Sequence, residues 1–307
     1  MSMAAAEAGS QTTGRAGGLA LVAVAALMFG SLGVWVNYAT MPSSMLLVLR
    51  MAIGGVLVAP LVLRPGALRV LRRRRVARRL LALGLIDAVG LLTFFVAMRS
   101  MNVAVAMFLS YLAPVYVAVA APRLLRQPTE RVVYVALGLA LVGIVVMLAP
   151  GFAGAHGRIT ALGVACGLVS GLSLGAYFLL AKGLRAEVSG PTLLLWDCAI
   201  VALAVLPLAL RQTLGAGYAF TSRDLVAALG LGVLTTVGGT MFLHGMRFIK
   251  VQHSSIVGLL EPVSAPLYAL VFLAQRPSVW TLAGGALILA AGLLVVLRGS
   301  GEVEPIA

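Results

Sequence analysis

Residues 81–127, LALGLIDAVGLLTFFVAMRSMNVAVAMFLSYLAPVYVAVAAPRLLRQ, have a partner 148 positions later, LGLGVLTTVGGTMFLHGMRFIKVQHSSIVGLLEPVSAPLYALVFLAQ at residues 229–275. The alignment runs without a gap to 141 and 289. Gly84 meets Gly232, Val89 and Gly90 meet Val237 and Gly238, and Phe94 meets Phe242. Met98 and Arg99 meet Met246 and Arg247, Val103 meets Val251, and Leu112, Pro114 and Val115 meet Leu260, Pro262 and Val263. Gln127 meets Gln275. Apolar sequences match by chance more readily than polar ones, so the shared Pro, Arg, Gln and Gly carry the repeat. Upstream, with small slips, Ser31-Leu32-Gly33 resembles Ser173-Leu174-Gly175, and Val58, Pro60, Leu61 resemble Val205, Pro207, Leu208. A long internal repeat is the first thing that fixes an architecture.

What is repeated is apolar. Of 307 residues, 61% are hydrophobic and 10% charged, with mean hydropathy +1.07; soluble domains run at about 45–50% and 25%. An ordinary soluble enzyme and a disordered chain are both excluded. Runs near the ~20 residues that a bilayer requires fall at 17–38, 43–63, 80–100, 103–121 and 131–149, then at 159–181, 191–210, 224–247, 252–273 and 277–297. Their Leu, Val, Ala and Gly do not alternate with polar residues, which speaks against a membrane β-barrel. The first run is longer than a signal-peptide core and has a later counterpart, so it is expected to be retained.

Ten spans divide into five per repeat. Five is odd, so the second copy must enter the membrane upside down relative to the first. Inverted repeats characterise secondary transporters, whose halves move about a site near the midplane. The expected fold is therefore an all-α integral membrane protein with ten transmembrane helices as two inverted five-helix repeats. Tails at 1–16 and 298–307 flank repeats at 17–149 and 159–297.

The net charge of +14, from 23 Lys+Arg against 9 Asp+Glu, would suggest nucleic acid in a soluble protein. Placed by loop, it reads differently. With the N-terminus inside, seventeen basic residues lie on the inner side, eight of them at Arg64, Arg69, Arg72, Arg73, Arg74, Arg75, Arg78 and Arg79. Five lie outside: Arg99, Arg158, Arg211, Arg223 and Arg276. By the positive-inside rule both termini are cytoplasmic. The arginine run faces anionic headgroups, each basic side chain contributing about 1 kcal/mol, and no nucleic-acid partner is expected. Cys166 and Cys198 are read as small core residues.

Ionisable residues within a span cost about 2.5–3.5 kcal/mol each, so they are functional candidates. Glu261 lies mid-span beside Pro262, which removes a backbone donor and loosens the helix; it suits substrate-ammonium binding or proton coupling, against the alternative of a structural partner for Arg50. Arg50 could grip a substrate carboxylate or snorkel outward. Asp87 and Asp197 each lie about seven residues from the cytoplasmic end of a span and fit an inner vestibule or a loop arginine. Asp197 is also the counterpart of Arg50, so inversion sets them at opposite faces with no direct bridge. His244 could relay protons, although an interhelical hydrogen bond is the simpler role. Trp35 and Tyr177 follow the shared Ser-Leu-Gly, while Phe94, Phe95 and Tyr111 could line a cavity where Ser110 offers a hydroxyl. Tyr134 and Trp280 read as interfacial anchors. Gly167, Gly171 and Gly175 suit close helix packing. The sequence contains no HExxH, GxSxG or Walker-type GxxxxGK[ST] motif. No enzyme activity, metal or cofactor is expected.

The fourth span's YLAPVYVAVAAPRLLRQ, the ninth's LLEPVSAPLYALVFLAQ and the second's LLVLRMAIGG together resemble EamA-type transporters of the drug/metabolite transporter superfamily. The resemblance covers residues 17–298 and implies ten spans, inverted five-helix repeats and export of amino acids or other small metabolites. Family pattern carries over onto Arg50, Pro114, Glu261 and Pro262; Gln127 and Gln275 depart from the Gly-Glu that often ends these spans. It further implies that spans five and ten pack outside the others and form a homodimer contact. The expectation is thus an inner-membrane exporter of small polar or amphipathic metabolites, working by rocking of spans 1–4 against 6–9, with Pro114 and Pro262 as hinges. A facilitator or importer of another organic solute, and a membrane enzyme or scaffold without transport, are the rivals.

Overall fold

A computed structural model describes residues 2–62, 73–100, 109–125, 129–153, 160–215, 217–273 and 279–298. Arg64, Arg69, Arg72, Arg126, Gln127, Arg158, Gln275 and Arg276, with the opening of the fourth expected span, lie outside the described residues. Among the described residues there is no strand. Hydrocarbon offers no partner for a free backbone N–H or C=O, so apolar segments of this length satisfy theirs internally as helices.

The helices are α1 (Ser2–Phe29), α2 (Leu32–Tyr38), α3 (Ser43–Val62), α4 (Arg74–Ser100), α5 (Ala113–Leu124), α6 (Arg131–Ala153), α7 (Ala161–Leu184), α8 (Gly190–Leu214), α9 (Ser222–Gly245), α10 (Val251–Val257), α11 (Leu260–Leu273) and α12 (Val279–Arg298). Seven described segments are long and apolar enough to cross a bilayer, namely Gly14–Val36, Ser43–Val62, Arg74–Ala97, Ala161–Leu184, Gly190–Leu214, Ser222–Phe248 and Val251–Phe272. Three shorter apolar helices, Ala113–Leu124, Arg131–Val146 and Leu282–Arg298, accompany them. The chain is a multi-pass membrane protein.

Helix ends are set by local chemistry. Thr160 caps α7 by accepting from the Gly163 N–H, and Ser189 caps α8 through Thr192. Thr221 and Asp224 form a reciprocal capping box on α9. Asp224 also accepts from the Thr40 and Met41 N–H groups at 2.7 and 2.9 Å and from the Tyr218 hydroxyl at 2.6 Å. That single carboxylate ties the α2–α3 turn to the start of α9. At the opposite end of α9, Lys182 donates to the carbonyls of Met246 and Ile249 at 2.7 and 2.5 Å, and Arg185 donates to Leu243 at 2.8 Å. Cations there complement the negative end of the helix dipole. Burial, and after it the Arg247 charge, lowers the Arg185 guanidinium to about 10, so it stays charged at neutral pH.

The packing is interleaved. α3 lies along α8, α4 along α7 and α6 along α12; α4 also meets α8, as α9 meets both α1 and α3. Small residues allow these approaches. A Cβ added at Gly84 would stand 2.6 Å from Ile200 Cβ, and one at Gly232 would stand 2.7 Å from Ile53 Cβ. The main core joins α1, α3, α4, α8 and α9 around Val22, Met51, Leu83, Leu193, Val201 and Leu231, while α6, α10 and α12 share a second cluster around Ile144, Ile256 and Ile288.

Three apolar runs are broken. α1 gives way to α2 at Gly30–Ser31, a turn at Tyr111–Leu112 precedes α5, and Gly258–Leu259 separates α10 from α11. The last two breaks sit just before Pro114 and Pro262. Proline has no N–H to donate four residues back, and its ring crowds that carbonyl. The Glu261 N–H bonds Gly258 O at 3.0 Å instead, and the Val115 N–H bonds Leu112 O at 2.9 Å.

Candidate functional site

The charges that the sequence places inside the membrane converge. Arg50 on α3 is partly buried, its Nε donating to Thr235 Oγ1 of α9 at 2.8 Å. The charges of Asp87 on α4, Glu261 on α11 and Asp197 on α8 all act on it. None is a contact ion pair: among the described residues the salt bridges are Arg79–Glu187 at 2.5 Å, Lys250–Glu130 at 2.6 Å, and His253 at 3.6 Å from that same Glu130. Arg50 is surrounded by carboxylates without being neutralised by one in contact. Arg50 and Asp197, expected at opposite faces, lie within electrostatic reach of each other, without a contact bridge.

Asp197 is 3% exposed. Its Oδ2 accepts from the Tyr177 hydroxyl at 3.4 Å, and its buried Oδ1 has no hydrogen-bond partner. Asp87 is close enough for its charge to act on Asp197 and Tyr177. Glu261 occupies the first turn of α11, and its charge reaches Tyr111 in the broken run before α5. The electrostatic neighbours thus fall into two sets, Glu261 with Tyr111 and Asp87 with Asp197 and Tyr177, and Arg50 feels the carboxylates of both. Such a cluster could receive both ends of a zwitterion, the carboxylate at Arg50 and the ammonium at a neighbouring acid.

Other expected residues are placed around or apart from this cluster. Ser110 is buried and bonds Ser170 Oγ at 3.2 Å. Phe94 stacks obliquely on Phe95, with centroids 6.4 Å apart. Trp35 lies against Gly230 of α9 and lines a cavity with it. His244 is exposed, its ring edge-on to Phe248 at 5.3 Å, and it does not join the charged cluster. Pro114 and Pro262 are both buried at their helix breaks.

Thr235 is the residue that sequence reasoning missed. A signal existed: Thr235 is the counterpart of Asp87 at the offset of 148, and Arg50 is the counterpart of Asp197. The Arg50–Thr235 hydrogen bond thus repeats, in the other half, the Asp197–Asp87 juxtaposition. The Gly30–Ser264 approach was also missed; Ser264 donates to the Glu261 and Leu27 carbonyls at 3.0 and 3.3 Å.

Long apolar helices with charged side chains gathered among them define a membrane protein with an internal polar site. The EamA-like transporter family model matches residues 16–149 and again 161–297, and the chain belongs to that family. It is similar to an uncharacterized transporter of Archaeoglobus fulgidus, 30% identical over 282 residues, which cover 92% of this chain and 96% of that protein. A protein of known crystal structure shares the fold, with a TM-score of 0.78 at 20% identity over 92% of this chain and 97% of its own.

Proposed function

We propose that the chain is a secondary transporter with ten spans in two inverted five-helix repeats, exporting small amphipathic metabolites such as amino acids across the inner membrane. The observation that carries this reading is Arg50 held by Thr235 amid Asp87, Asp197 and Glu261, with no ion pair in contact. Three carboxylates against one guanidinium favour a solute bearing an ammonium group, and Arg50 supplies the complement for a carboxylate. Glu261, at the helix break before Pro262, is the residue proposed to exchange a proton for the substrate ammonium. Broken helices around a midplane site are the usual construction of secondary transporters.

The inverted repeat draws support from paired contacts. Exchanging one repeat for the other turns Gly84–Ile200 into Gly232–Ile53, the α4–α7 packing into α1–α9, and α4–α8 into α3–α9. The same contacts favour moving bodies other than spans 1–4 and 6–9, because that division would cut through most of them. Alternating access is better served by two mixed bundles. One comprises α1, α2, α3, α9 and α11; the other comprises α4, α5, α7 and α8, with α3–α8 between them. Cytoplasmic termini, headgroup contact by Arg73, Arg74, Arg75 and Arg78, and dimer contact through the outer faces of α6 and α12 complete the proposal.

Reconstituted flux tests it. Proteoliposomes should accumulate or release a radiolabelled amino acid from a panel, faster under a pH gradient, and overexpression should protect cells from toxic amino-acid analogues. Absence of both substrate-dependent flux and protection would overturn the exporter reading. Flux unaffected by the gradient would favour a facilitator.

A further inference from the structure

One cavity is lined by residues that lie outside the charged cluster. It encloses about 510 Å³ between the broken first span, α9 and α11, and its walls include Met28, Trp35, Val233, Tyr268 and Phe272. Polar groups in the lining are few: Ser31 Oγ is bonded to Met28 O at 2.7 Å, and Tyr38 and Tyr268 add their phenol hydroxyls. A wall this largely apolar offers water few partners. On α11, Ser264 lies between Glu261 and the cavity residue Tyr268. A Cβ at Gly30 would stand 1.9 Å from Ser264 Oγ, so backbone and side chain already touch there.

The cavity's rim faces the bilayer. Val226, Val233 and Phe272, all in membrane spans, are among the exposed large apolar residues. At the end nearest Tyr38 the chemistry changes: the Arg223 guanidinium lies over the Tyr38 ring, 5.9 Å from its centroid. Among the described residues Arg223 has no carboxylate partner. An apolar slot open to hydrocarbon and ending at an uncompensated arginine beside an aromatic ring matches one kind of occupant. We propose that one phospholipid binds here, an acyl chain in the slot against Trp35 and its phosphate at Arg223. Guanidinium–phosphate pairing is charge-assisted, and the tail gains from burial of each methylene.

The test uses Trp35 as reporter. The chain has 3 tryptophans, so a Trp196→Phe, Trp280→Phe background isolates Trp35. Reconstituted into phospholipid with mid-chain dibrominated acyl groups, Trp35 emission should fall to less than half of its value in unbrominated lipid. Aqueous iodide should leave it unchanged. Val233→Phe or Val226→Phe, both at lipid-facing positions, should fill the slot and cut the bromolipid effect at least twofold. Native mass spectrometry of the parent chain should retain one phospholipid, and Arg223→Gln should reduce that retention severalfold. Iodide quenching would mean a water-filled cavity, and insensitivity to both quenchers would mean a protein-filled one; either overturns the proposal. Bromolipid quenching unchanged by both filling variants would mean that Trp35 senses bulk lipid only, and retention unchanged in Arg223→Gln would remove the phosphate contact; these results also overturn it.

Discussion

At the residue scale, Arg50 is the pivot, and its surroundings make distinct demands on its partners. Lysine at position 50 keeps the charge but loses the planar fork that can bond Thr235 and a carboxylate together. Arg50→Lys should raise KM for flux about tenfold, equivalent to about 1.4 kcal/mol, with folding unchanged by thermal melt. Thr235→Ala removes one hydrogen bond to a charged group, worth about 1.5–3 kcal/mol. It should weaken binding in the same direction, and the double variant should lose less than the sum. Glu261→Gln should abolish stimulation by a pH gradient; unchanged gradient dependence would remove that carboxylate as proton carrier. Arg50, Asp87, Asp197 and Glu261 were legible in the sequence because charge in a bilayer is costly enough to demand a reason. Thr235 was not, since a threonine in a helix costs little and announces nothing. His244 shows the converse: its place in an apolar run marked it, but only the packing reveals that its ring is exposed beside Phe248.

At the element scale, the helix breaks and the glycine contacts carry the account. Two of the three breaks were legible through Pro114 and Pro262, whose missing N–H groups dictate the turn just upstream. The third, at Gly30–Ser31, has no proline, and its neighbour Ser264 is 234 residues away in the chain. Local reading cannot see such a contact. Pro262→Ala should restore the missing donor and stiffen the run from α10 to α11. The expected result is slower flux with substrate affinity retained, read from single-turnover efflux and equilibrium binding. Gly84→Ala and Gly232→Ala each push a methyl into an isoleucine on the facing helix. Overpacking of this kind costs about 1–3 kcal/mol, so each should lower the melting temperature in detergent. Because the two sites occupy corresponding places, the two decreases should be similar; a large disparity would argue against equivalent packing in the two halves.

At the scale of the whole molecule, the strong basic excess and the hydrophobic content belong to one arrangement. Apolar runs build the helices, and the remaining internal charges, on α3, α4, α8 and α11, lie within electrostatic reach of Arg50. The membrane class and the repeat were readable from composition and a single offset, because hydrophobic length and shared Pro, Arg and Gly survive without knowledge of packing. The interleaving of the bundles was not, because contacts such as α3 with α8 and α4 with α7 are between helices far apart in sequence. The central claim, a carrier that exposes one site to each side in turn, is tested most directly by counterflow. Proteoliposomes preloaded with an unlabelled transported amino acid should take up the labelled form transiently above its equilibrium level, and Arg50→Lys should blunt the overshoot. Uptake that rises only to equilibrium, whatever the internal load, would contradict alternating access.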